Sequence, residues 1–366
     1  MRTVLVYAIA FLQMSLAISQ EPIPLDTVHW DINARAHVFE PFKGEDTIYL
    51  LGGSMSLKNA EFLNGTIEYD IYMTGNRGFP GVYFRVNGNN AEQFYIRPHQ
   101  SGNPDANQAV ALFNGITPWQ FYFGPKYSFA HKYPVDRWMH VKIVVEDDKA
   151  QVYLDDSEKP NLSWNLFHEA KTGGISFTGG LNTGVHLANF TIKNGKGEIK
   201  DFNPGTREPI KGAIQEWEVS DKFEEKLLDN PTSIAEVIDA RKWNGSIVLE
   251  EGVAANVSRK VELRGDVPGN TVFAKININS KNDATRLFEF GYSDRVVVIL
   301  NGAPIYRGNN GFRSRDYRYL GTIGLFDAVY LNLKKGNNTL LLAVSENFGG
   351  WLVTGRFPNS EGLKIQ

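Results

Sequence analysis

From Val28 to Ile192 the chain alternates apolar and polar residues in short runs broken by Gly, Asn, Pro and Asp, and this pattern constrains the fold more than any other feature. The runs TIEYDIYM, GVYFRV, QFYIRPH, WQFYFG, MHVKIVVE, QVYLDD, GGISFTG and GVHLANFTI each put one set of side chains on one face and the other set opposite. No helical periodicity is sustained across this stretch, so it reads as the strands of an all-β sandwich or barrel.

Residues 193–212, KNGKGEIKDFNPGTREPIKG, are charged, contain Gly and Pro, and are poor in apolar side chains. They divide the chain into a first domain at 20–198, a linker at 199–212 and a second domain at 213–366. DKFEEKLLDNPTSIAEVIDARKW leaves room for one short helix, after which strand patterns resume. RVVVILNGAPIYRG reads as a hairpin, because Asn301-Gly302 suits a two-residue turn. The fold class expected is therefore all-β, with two β-sandwich (jelly-roll) domains joined by a short linker.

The N-terminus reads as an export signal. Arg2 precedes an apolar run from Val4 to Leu16, and Ala17-Ile18-Ser19 supplies small residues for cleavage before Gln20. This predicts a secreted or periplasmic protein with residues 1–19 removed, and the apolar run is short for a membrane span. There are no cysteines, which excludes a thiol nucleophile, cysteine-ligated metals and a lipid anchor on cysteine. The formal net charge of −3 argues against a nucleic-acid binder, which needs a basic excess to neutralise phosphates.

Several clusters invite a chemical reading. Glu68 and Asp70 stand at i and i+2 and project from one strand face, with Tyr72 next in that row. A two-carboxylate glycosidase needs a second acid in reach of the first, and the next residue of this row is Tyr72. The structural alternative pairs Glu68 and Asp70 with Arg85 or Arg97. The seven histidines show no metal-binding spacing. Asn103, Asp105 and Asn107 alternate oxygen donors, so a structural Ca2+ is the one cation the spacing admits; Asx turns account for the same residues. No other cofactor is expected. In RGNNGFRSRDYRY, Arg307, Arg313, Arg315 and Arg318 stand among Phe312, Tyr317 and Tyr319, a mixture suited to stacking on sugars and to bidentate capture of acidic groups. The alternative is an internal network in which Asp316 and Asp294 neutralise some of these arginines.

The polar strand faces are more informative together. Glu68, Asp70 and Tyr72 form one row; Tyr83 with Arg85, Tyr95 with Arg97 and His99, and Gln120 with Tyr122 form others. In a single sheet these rows would make a concave platform of rings and planar hydrogen-bonding groups, which is what a sugar requires.

FLNGTIEYDIYMTGNRGFPGVYFRV, EQFYIRPHQSGNPDANQ and WMHVKIVVEDDKAQVYLDD together resemble the concanavalin A-like lectin/glucanase fold, in particular the laminin G-like domains of exported bacterial proteins. The resemblance covers about 28–193. It implies binding of carbohydrate or protein, with hydrolysis of glycosides or 3-keto-disaccharides in some relatives; Tyr72 departs from the glucanase pattern. WEVS, TVFAKININS and DRVVVILNGAPIYRGN resemble a galactose-binding-like jelly roll over about 213–357.

These readings converge on an exported, non-catalytic protein that binds carbohydrate or a glycan-bearing surface. The expected ligand contacts are Tyr95, Arg97, His99, Gln120 and Tyr122 in the first domain and Arg313, Arg315, Tyr317 and Trp351 in the second. The alternatives are a glycoside hydrolase using Glu68, Asp70 and His99, and a protein–protein adhesion module.

Overall fold

A computed structural model describes residues 22–366; the export signal read at residues 1–19 lies outside them. The first sheet opens with a long antiparallel hairpin, β1 (Trp30–Phe42) and β2 (Glu45–Leu57). It continues through β3 (Gly65–Tyr72), β4 (Gly81–Asn87), β5 (Asn90–Ile96) and β6 (Asn107–Leu112). Its remaining strands are β7 (Met139–Glu146), β8 (Lys149–Leu154), β9 (Leu162–Asn165), β10 (Gly174–Thr178) and β11 (Val185–Asn194).

The strand order is β6-β5-β4-β10-β2-β11-β3-β7-β8-β9. Strand β2 is the seam: Ser54–Ser56 pair with β10, while Ile48–Leu50 pair with β11. The sheet folds over along it, and Phe84, Phe94 and Ile96 from one half share a core with Ile67, Val141 and Val152 from the other. Strand β3 keeps the expected alternation, with Ile67, Tyr69 and Ile71 buried and Glu68, Asp70 and Tyr72 partly exposed.

The second sheet begins with β12 (Glu216–Ser220), followed by helix α1 (Ile234–Asp239), β13 (Trp243–Glu250) and β14 (Ala254–Asn256). Next come β15 (Thr271–Ser280), β16 (Ala284–Ser293), β17 (Arg295–Leu300) and β18 (Ala303–Asn309). It closes with β19 (Asp327–Leu333), β20 (Gly336–Ser345), β21 (Leu352–Arg356) and β22 (Leu363–Ile365). The Asn301-Gly302 turn joins β17 to β18 as expected. Phe288, Phe290 and Val353 pack against Val272, Val298 and Leu342 in this second core. The chain is thus all-β, with two sandwiches. No helix among the described residues is long and apolar enough to cross a membrane.

The segment expected as the strand WQFYFG is a series of turns: the amides of Phe121 and Tyr122 both bond back to the carbonyl of Pro118. Its aromatics satisfy burial by another route. Phe113, Phe121, Tyr122 and Tyr127 pack with Val253, Ala254, Ile323 and Leu352 of the second unit, and Ile116 enters the second unit's core. The linker is fastened as well. The Arg207 guanidinium lies 4.9 Å from the centre of the Phe121 ring and 4.8 Å from that of Phe123, and the Ile210 amide bonds to the Gly252 carbonyl.

Candidate functional site in the cleft between the two sandwiches

Docking of the two sandwiches leaves a cleft of about 420 Å3 at the open end of β5, within the range typical of small-ligand sites. The first unit contributes Phe79, Tyr95, Arg97 and His99, and the second contributes Phe312, Arg313 and Phe348. Trp119, carried on the aromatic turn segment, joins the two. Its ring centre lies 6.1 Å from that of Phe312 and 5.7 Å from that of Phe348, and the two phenylalanines are 5.8 Å apart. A second ring group forms where Phe79 meets Tyr95 at 6.0 Å and His99 at 5.4 Å.

The polar groups beneath these rings are tied together. Strand β5 is buried on both faces, one by the first core and one by the turn segment, so Tyr95 and Arg97 are only 5% and 6% exposed. Arg97 donates to the Tyr95 hydroxyl at 2.6 Å, to the Gln108 side-chain oxygen and to Asp105. Gln108 in turn donates to the carbonyls of Trp119, at 3.0 Å, and of Tyr122. Arg97 therefore positions Trp119 through Gln108, with its four terminal N–H groups already engaged. Its carboxylate partner is Asp105, where Glu68 or Asp70 was the expectation. Burial holds the Asp105 carboxyl above the usual range, against the pull of Arg97. His99 is held below its usual range by burial, with Arg77 and Arg97 adding repulsion, so its ring is neutral at pH 7. The buried Nδ1 of His99 has no hydrogen-bond partner among the described residues.

The second unit fixes its wall by different means. One Asp294 carboxylate oxygen accepts from the amides of Asn347, at 2.9 Å, and Phe348, at 3.0 Å. Its carbonyl accepts from the Asn310 amide at 2.6 Å, two residues before Phe312. Asp294 was expected to neutralise arginines of the 307–319 loop. Instead it holds both segments that carry cleft phenylalanines.

Three expected contacts are buried out of reach, which corrects their assignment. Gln120 is an interdomain latch: its amide donates to the Leu320 carbonyl at 2.8 Å and accepts from the Ser293 hydroxyl at 2.6 Å. Its backbone bonds to Gly349 and Ile323. Gly321 (φ +74°) and Gly349 (φ +113°) border it, and a Cβ at either would run into the Gln120 side chain. The Tyr122 hydroxyl is spent on Glu250 at 2.6 Å. Trp351 is wholly buried in the second core, its indole donating to the Val344 carbonyl. Two others lie outside the cleft: Arg315 pairs with Asp327 at 2.8 Å, and Tyr317 is exposed under the Arg318 guanidinium. Arg307 pairs with Asp229 at 3.9 Å and Arg318 with Asp316 at 3.1 Å.

The polar groups of the 103–107 loop bond to separate neighbours. The Asn107 amide serves Phe129 and Tyr133, Asn103 bonds Gln100, and Asp105 serves Arg97. Glu68, Asp70 and His99 are likewise not one constellation, because β4, β10, β2 and β11 separate β5 from β3. Glu68 and Asp70 face His140 at 3.2 and 2.7 Å, and Lys142 lies 3.7 Å from Glu68, where arginine partners were expected. Arg85 instead donates to Leu63, Asn64 and Asp147, because a bulge breaks the row it was expected to share with Tyr83. Hydrogen bonds to Asp70 and Glu68 raise His140 to about 10, and the same contact lowers Glu68. A glycosidase pair needs one carboxyl kept protonated beside one ionised; here the imidazolium favours the ionised form of Glu68.

A larger hollow of about 640 Å3 lies between Pro22–Leu25 and the tip of the β1–β2 hairpin. Among the described residues that line it, Phe39 is the one aromatic side chain and none is an arginine, whereas the interdomain cleft carries both ring groups and arginines.

No protein-family model matches the chain, and no curated protein matches it. Similar solved structures include carbohydrate-binding module CBM66 from Bacillus subtilis, at 16% identity over 47% of this chain and 96% of the module, with a TM-score of 0.33. A Bacillus licheniformis β-glucanase is 11% identical over 48% of this chain and 97% of its own, with a TM-score of 0.35. A glycosyl hydrolase family protein from Mycobacterium fortuitum is 14% identical over 46% and 92%, with a TM-score of 0.30. These values are low, and the functional reading rests on the geometry of the cleft.

Proposed function

We propose that this is an exported protein that binds carbohydrate in the cleft between its two sandwiches, without cleaving it. Export rests on the N-terminal sequence alone. The observation that carries the binding reading is the pair of ring groups lining one cleft beside arginines and a neutral histidine. Aromatic faces take the C–H faces of a sugar, while planar polar groups take its hydroxyls. The reading invokes no cofactor. Binding is favoured over hydrolysis because, among the described residues, Asp105 is the one carboxylate lining the cleft, and it is paired to Arg97. Two-carboxylate hydrolysis has no second acid there.

The test is a glycan-array screen of the intact chain, with each hit assayed for release of reducing sugar. Hits without release support the proposal. Release of product from a hit makes the protein a hydrolase, and a folded chain with no hits favours the adhesion reading.

Trp119→Ala is expected to weaken binding of any hit by about 10- to 100-fold, the equivalent of roughly 1.4–2.8 kcal/mol. The Trp119 ring touches both phenylalanines of the second unit and is only half buried, so the fold survives its loss. Isothermal titration, with circular dichroism as the folding control, reads the effect.

A further inference from the structure

The electrostatics of the cleft narrow the kind of glycan, on the premise that the cleft is a sugar site. The terminal N–H groups of Arg97 are engaged by Asp105, Tyr95 and Gln108. Arg77 and Arg313 also line the cleft, one from each unit, and among the described residues neither has a carboxylate within ion-pair distance. Both are exposed. The surrounding chain has acidic groups to spare, with 41 Asp and Glu against 38 Lys and Arg. It pairs comparable surface arginines, such as Arg137 with Asp155 at 2.5 Å and Arg356 with Glu289 at 2.7 Å. Among the described residues that line the cleft, three arginines face one carboxylate, that of Asp105.

Placement reinforces the charge. The Arg77 guanidinium lies 5.6 Å from the centre of the Phe79 ring, and that of Arg313 lies 4.9 Å from the centre of the Phe312 ring. Each cation therefore sits against an aromatic wall of the cleft. A sugar stacked on either ring brings its ring substituents towards that guanidinium, whose planar fork matches a carboxylate or a sulfate with two parallel hydrogen bonds.

We infer that the cleft selects an anionic glycan, whose uronate carboxylate or sulfate ester is held by Arg77 and Arg313. A neutral glycan would leave both guanidiniums with water alone, and an acidic one replaces that water with charge-assisted hydrogen bonds.

The intact chain is titrated with matched pairs: oligogalacturonate against its methyl ester, and chondroitin sulfate against its desulfated form. The expected result is binding to the charged member of at least one pair, at least about tenfold tighter than to its partner, and weakened by added salt. The pair that shows the difference identifies the source of the charge. Desulfated chondroitin keeps its uronates, so binding to both chondroitins and to oligogalacturonate assigns the carboxylate. The double variant Arg77→Gln/Arg313→Gln changes two exposed side chains and should abolish the preference, while Arg77→Lys/Arg313→Lys should keep part of it. Equal affinity within both pairs, or tight binding of neutral array glycans alone, overturns the charge inference and leaves the sugar-site reading standing. No binding by any array glycan or any titrated pair overturns both.

Discussion

A Gln120→Ala chain is expected to melt at least about 3 °C below the parent and to lose cooperativity between its two sandwiches, as read by differential scanning calorimetry. The reason is local. The Gln120 side chain is wholly buried and is the partner of both the Leu320 carbonyl and the Ser293 hydroxyl. Its removal leaves two polar groups short of a partner and opens a cavity, at a cost of about 2–4 kcal/mol. The loss falls on the contact between the units, because Gly349 and Gly321 press on that same side chain. Gln120 also adjoins Trp119, and its backbone is bonded to Gly349, next to Phe348. Glycan affinity should therefore fall with stability. A melting temperature within about 1 °C of the parent would mean that the interface does not depend on this latch.

The second large effect is a loss of stability between pH 7 and pH 10. Burial raises Glu346 to about 8, with the neighbouring Asp294 charge adding to it. Hydrogen bonds to Asp70 and Glu68 raise His140 to about 10. Both groups hold protons more tightly folded than unfolded. Their stabilisation is fully present below the unfolded values and is lost as pH rises through the folded ones. Glu92, raised by burial to about 7, loses its own contribution as pH rises to that value, so the decline above pH 7 belongs to Glu346 and His140. Together the loss is on the order of a few kcal/mol. On the acid side, burial lowers His99, His131 and His168, and their contribution fades as pH falls through about 6.5, the ordinary histidine value. The melting temperature should therefore peak near neutrality or slightly below it. Glu346→Gln should flatten the part of the limb that ends near pH 8, and His140→Gln the part that runs on to about pH 10. A wild-type curve flat from pH 7 to 10 would contradict the account.

Much of the fold was legible in the chain because period-two alternation survives wherever a strand has one buried face, as in β3. The same rule misled at β5 and at the aromatic turn. Strand β5 and the residue that follows it carry a polar row, Tyr95 and Arg97, that is buried because the turn segment covers it. WQFYFG alternates like a strand because its aromatics are shared between two units, a demand that mimics sheet burial without any ladder of hydrogen bonds.

The site was legible only in part. The Tyr95-Arg97-His99 row does line the cleft, and Arg313 was flagged from the arginine-aromatic loop. Trp119, Phe348 and the Arg77–Phe79 pair come from three separate loops that meet when the sandwiches dock, so no spacing along the chain announces their meeting. The one local hint was the Gly349-Gly350 pair beside Phe348, whose φ values of +113° and +139° mark a turn shaped for close approach to Gln120 and Pro118.

The central claim is that the glycan sits between the two sandwiches, and hydrogen–deuterium exchange on the intact chain, with and without an array hit, tests it most directly. The account predicts slowed exchange in the segments that wall the cleft from both units, around Tyr95–Gln100, Thr117–Gln120, Phe312–Arg313 and Asn347–Gly349. Protection confined to the outer face of β3 and β7, around Glu68–Tyr72 and Trp138–Lys142, would contradict it.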